Sequence, residues 1–68
     1  MLKFTKVGKA YTADIPEGAF WIRRNDGHGW DLIVQYRNAT NGLNGMRRLG
    51  QYRNLNAAFA DATELNNN

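Results

Sequence analysis

Phe20-Trp21-Ile22-Arg23-Arg24, the loop Asn25-Asp26-Gly27-His28-Gly29, and Trp30-Asp31-Leu32-Ile33-Val34-Gln35-Tyr36-Arg37 decide the fold. Two apolar runs flank a Gly-rich loop, and each alternates with period two. Phe20 and Ile22 share one side of the first run; Trp30, Leu32, Val34 and Tyr36 share one side of the second. Such alternation marks half-buried strands, and a short loop between two of them makes an antiparallel pair.

Outward from this pair the punctuation is legible. Val7-Gly8-Lys9-Ala10 puts Gly at the first centre of a two-residue hairpin, as a type II′ turn prefers. Ile15-Pro16-Glu17-Gly18 has Pro at the second turn position and Gly at the fourth, the type I preference. Asn41-Gly42 and Asn44-Gly45 suit positive φ angles and predict a hairpin loop. The strand candidates are about 2–7, 10–15, 19–24, 29–37 and 46–52. Short connections make sequence neighbours pair as an antiparallel meander.

The chain ends in a helical period. Leu55, Ala58, Phe59, Ala62 and Leu65 fall on one helix face, with Asn54 placed as N-cap. A helix of ~11 residues is marginal alone, so it must dock on the sheet. The expected fold class is α+β: an antiparallel β-meander of three to five strands with one C-terminal helix packed on one face. Residues 1–68 form a single domain, with an N-terminal hairpin over 1–15, a three-stranded sheet over 19–52 and the helix over 55–65.

Period two assigns Tyr11, Ala13, Ile15, Phe20, Ile22, Trp30, Leu32, Val34, Tyr36 and Leu49 to the core, under Leu55, Phe59 and Leu65. The opposite face then carries Trp21, Arg23, Ile33, Gln35, Arg37, Arg48 and Tyr52. Ile33 is an exposed apolar misfit in that assignment, and a bulge would reverse part of it.

Charge and composition narrow the function. The 68 residues carry nine Lys and Arg against six Asp and Glu, a net charge of +3. Every Lys and Arg precedes the helix, whereas Asp61 and Glu64 lie in it. Positive charge is therefore concentrated on the sheet. Arginine beside Trp and Tyr on a flat surface suits phosphate and base edges, and also suits protein interfaces. The same arginines on a half-exposed sheet also form an ordinary solvated face.

Other classes recede. There is no cysteine, so neither a disulfide nor a cysteine zinc site forms. His28, between Asp26 and Asp31, offers too few ligands for a metal and reads as a hairpin tip. The carboxylates are unpaired, and the chain has threonines but no serine or cysteine nucleophile. The expectation is a protein that is not an enzyme, with no catalytic residue, metal, cofactor or small-molecule substrate. No apolar run approaches the ~20 residues of a membrane span. The first residues lack the apolar region of a secretory signal, so the expected location is the cytoplasm, that of the host cell if the chain is phage-encoded.

Ala19-Phe20-Trp21-Ile22-Arg23-Arg24, Gly29-Trp30-Asp31-Leu32-Ile33-Val34 and Arg48-Leu49-Gly50-Gln51-Tyr52-Arg53-Asn54-Leu55-Asn56-Ala57-Ala58 resemble small β-β-β-α modules. The arm-binding domains of phage integrases and the AP2-type DNA-binding domains share that layout: an aromatic-rich strand pair, a Leu-Gly-x-aromatic strand end, then a helix. The likeness spans roughly residues 19–62. It implies a sheet laid in the DNA major groove through Trp21, Arg23, Gln35, Arg37, Arg48 and Tyr52. The extra N-terminal hairpin and the Asn/Gly loop 38–45 depart from that layout. The short Asn-rich chain also looks like bacteriophage accessory proteins, many of which inhibit a host protein, anti-CRISPR-type inhibitors included. A five-strand meander also suits an SH3-like barrel. The expected partner is thus double-stranded DNA or, alternatively, a host protein, with a homodimer as a further arrangement.

Overall fold

The computed structural model describes residues 2–27, 29–37 and 45–67. It contains β1 (Thr5–Val7), β2 (Ala10–Ile15), β3 (Gly18–Arg24), β4 (Trp30–Tyr36), β5 (Met46–Tyr52) and α1 (Leu55–Asn66). The strands form a single five-stranded sheet in the order β1-β2-β3-β4-β5, and every neighbouring pair is antiparallel. The fold is α+β, a β-meander followed by one helix, as the turn residues predict. No helix among the described residues is long and apolar enough to cross a membrane.

The turns follow from local chemistry. Gly8 has φ +61°, the left-handed value its turn requires. At the second turn Ile15 pairs with Gly18. A Cβ on Gly18 would lie 1.9 Å from the Gln35 carbonyl oxygen, so β3 must start on a residue without a side chain. The third connection is organised by Asn25. Its side-chain oxygen accepts from the Gly27 and Gly29 amides at 2.9 and 3.1 Å. Its backbone N–H donates to the Gly29 carbonyl at 3.0 Å. An Asx turn therefore reverses the chain. His28 and the turn signals at 38–44 lie outside the described residues.

The core lies between sheet and helix. Ile15, Phe20, Ile22, Leu32 and Val34 pack with Ala58 and Ala62. Ile22 and Leu32 are fully buried, each worth ~1.5–3 kcal/mol of apolar transfer. Two alanines at i and i+4 let α1 approach closely. Phe59 fills the flank, its ring centre 4.9 Å from Phe4 and 5.3 Å from Tyr11. The segment before β1 therefore contributes apolar cover, with Leu2 packed there too, instead of extending the strand. At the helix start the Asn54 side chain accepts from the Ala57 amide at 2.8 Å.

Three core assignments need correction. Tyr36 is 42% exposed, because it ends β4 opposite Gly18, which has no side chain to cover it. Leu65 is exposed: at 3.6 residues per turn it sits about 70° from the centre of the Leu55/Ala58/Phe59/Ala62 stripe. Leu49 is also exposed, because it is the extra residue of a bulge. Leu32 pairs with Gly50, but Ile33 pairs with Arg48, which leaves Leu49 without a partner.

Candidate binding face

The sheet face turned away from α1 is built from rows across β3, β4 and β5. Arg23, Asp31 and Gln51 form one row, Trp21, Ile33 and Arg48 the next, and Ala19, Gln35 and Met46 the third. The bulge at Leu49 makes this arrangement possible. It keeps Arg48 and Met46 on the open face while reversing the residues after it.

That reversal corrects the placement of Tyr52. The residue pairs with Trp30 and packs against the core cluster on the helix side. Its phenol donates to the Asp61 carboxylate. Burial first, then that hydrogen bond and charge, push the phenol up to about 12. Asp61 thus becomes the helix's anchor to β5. Gly50 leaves room for the tyrosine: a Cβ there would come 2.7 Å from the Tyr52 hydroxyl.

Ile33 is corrected as well. It is on the open face but only 6% exposed. It occupies the central row of the face, with Trp21 directly opposite on one side and Arg48 on the other. It is a floor for larger side chains, not a contact surface.

Trp21, Arg23, Gln35 and Arg48 do come together. The Trp21 indole Nε1 donates to Gln35 Oε1 at 3.0 Å. Arg23, Gln35 and Arg48 are exposed, and Trp21 is half-buried. Arg37 follows β4 at the end of the face, exposed, with its amide donating to the Glu17 carbonyl at 2.7 Å. Ala10, Trp21, Arg23, Gln35 and Met46 line a groove of about 260 Å³. Beside it, Asp14, Gly18, Ala19, Gln35, Tyr36 and Arg37 line a more polar hollow of about 270 Å³. Gln35 belongs to both. Sequence reasoning missed Met46 and Ala10 as members of the face, since only the register brings them beside Trp21.

The electrostatics of the face are mixed at its ends and cationic at its centre. Asp31 stands opposite Arg23, and its Oδ1 accepts from the Asn25 amide at 3.3 Å. Arg24 places its guanidinium 5.7 Å from the Trp30 ring centre on the other side of the strand. Among the described residues no group of three His, Cys, Asp or Glu converges to hold a metal ion. His28 lies outside them.

No protein-family model, curated protein or solved structure matches the chain.

Proposed function

We propose that this chain is a non-enzymatic nucleic-acid-binding module that lays its open sheet face on double-stranded DNA. The observation that carries the reading is the diagonal from Arg23 to Arg48, with Trp21 and Gln35 beside it. The two arginines are two strands and one row apart. Standard sheet spacings put their backbones about 12 Å from each other. The major groove of B-DNA is about 12 Å wide. Guanidinium forks suit phosphate oxygens and guanine edges alike, and Arg37 extends the cationic line. The helix, with Asp61 and Glu64, is on the far side of the sheet and would be held away from the phosphates. With a net charge of only +3, affinity would be modest and strongly salt-dependent.

One observation favours a second reading, a phage-type effector that binds and inhibits a host protein, alone or as a homodimer. The groove beside Trp21 is largely apolar, and Val7 and Met46 on the same face are 51% and 45% exposed. Aromatic and arginine anchors around an apolar centre are also the pattern of protein interfaces.

Amide chemical shifts on titration with a random-sequence duplex at low salt test the first reading. The expected result is that shifts concentrate on β3, β4 and β5 residues of the open face and spare α1. Shifts confined to α1, or none, would overturn it.

A further inference from the structure

We infer that the groove beside Trp21 receives the 5-methyl group of thymine, so that the open face prefers A·T pairs through apolar contact. This rests on the duplex-binding reading above and names what that face selects.

The polar groups of the face do not by themselves select a base pair. Arg23 and Arg48 donate, whereas the Asp31 carboxylate and the Thr12 hydroxyl oxygen can accept. Every base pair shows both acceptors and a donor in the major groove, so such a mixture finds partners on all of them. One feature of the code is not shared. Thymine carries a methyl group at C5, and no other base presents an apolar group there.

The groove matches that group in chemistry. Ala10, Trp21 and Met46 wall it, Arg23 and Gln35 are its polar lining, and its volume is about 260 Å³. The one polar atom of the indole, Nε1, donates to Gln35 Oε1 at 3.0 Å, so the rest of Trp21 is hydrocarbon. The Met46 side chain is 45% exposed and carries no donor, only a weakly accepting thioether. A polar base edge pressed against these walls would give up its water without a partner. A methyl group gives up only an unfavourable contact with water.

The register sets the groove among the cations. Trp21 shares the central row with Arg48, and Arg23 stands in the row beside it. Arginine contacts to phosphate or guanine would therefore bring base edges over the groove. A protein partner fits less well. The three apolar walls lie in a field of Arg23, Asp31, Gln35, Arg48 and Gln51, whereas a stable protein interface engages about 20–30 residues a side around an apolar core.

The test compares a labelled A·T-rich duplex with the same duplex carrying deoxyuridine for thymidine, which removes the methyl and keeps the O4 acceptor. Anisotropy titrations at one low salt concentration should show binding weakened about fourfold, the effect of one buried CH₂. A G·C-rich duplex with 5-methylcytosine for cytosine gains a methyl at the same ring position. It should bind about fourfold tighter than its unmethylated form. Met46→Gln, a change at an exposed side chain, should bring both ratios toward one. Arg48→Ala should weaken binding of all four duplexes and leave the ratios as they are. Equal, salt-sensitive binding of the thymidine and deoxyuridine duplexes would overturn the methyl inference and leave duplex binding standing. So would a deoxyuridine effect without its 5-methylcytosine counterpart, because the shape of A·T-rich DNA would then be what is read. Absence of binding to all four would overturn both and leave the groove to a protein side chain.

Discussion

The Tyr52 phenol donates to the Asp61 carboxylate and so joins the last strand to the second turn of the helix. The contact closes the fold at its carboxyl end, where α1 would otherwise rest on two alanines and two flanking apolar side chains. Desolvation and the neighbouring carboxylate hold the phenol neutral, pushed from 10.0 up to about 12. Because the folded value is raised, the contribution is complete below pH 10 and is lost as pH rises through about 12. Urea titrations across that range should show stability falling. Tyr52→Phe should cost about 1.5–3 kcal/mol at neutral pH, and the alkaline fall should flatten in that variant. A Tyr52 that titrates at the free-phenol value would contradict the link.

Gly18→Ala places a methyl group against the Gln35 backbone. Neither strand can yield without losing ladder hydrogen bonds, so the expected cost is roughly 2–3 kcal/mol by thermal or urea melts. A neutral result would mean that the β3–β4 approach is looser than described.

Leu32→Ala empties a fully buried site in the central part of β4. The expected loss is about 2–5 kcal/mol. A chain of this length has only about 3–10 kcal/mol in total. The variant should therefore be partly unfolded at room temperature, read by loss of near-ultraviolet dichroism from the tryptophans. Asn54→Ala, which removes one helix cap, should cost only ~1 kcal/mol and leave the dichroism intact.

The order of elements was legible because Gly, Pro and Asn mark the described turns with a physical reason. Gly8, Pro16 with Gly18, Asn25 with Gly27 and Gly29, and Asn54 all act where the sequence puts them. The central strands were legible because Phe20, Ile22, Leu32 and Val34 alternate strongly. The last strand was not. Met46-Arg47-Arg48-Leu49-Gly50-Gln51-Tyr52 has no strong alternation, so nothing in it fixes a phase. The bulge at Leu49 therefore could not be placed, and Leu49 and Tyr52 were assigned to the wrong sides. Ile33 failed for a different reason. Alternation gives the face of a residue but not how far its neighbours cover it, and Trp21 and Arg48 stand on either side.

The placement of Tyr52 carries over to binding. Because it sits on the helix side, Tyr52→Phe should leave duplex affinity within about twofold of the parent under conditions where both are folded. Gln35→Leu or Trp21→Phe should change it. A larger effect of Tyr52→Phe than of either open-face variant would place the binding surface elsewhere.

Whether the open face binds duplex DNA through its arginines is decided by anisotropy of a labelled random duplex at several salt concentrations. The parent chain should be compared with the Arg23→Ala plus Arg48→Ala variant. Each phosphate neutralised contributes about 0.9 to the slope of log affinity against log salt. The expected result is log-linear weakening with salt for the parent and a slope shallower by about 1.8 for the variant, both chains remaining folded. Binding that is absent at low salt, or a slope unchanged by loss of both arginines, would contradict it.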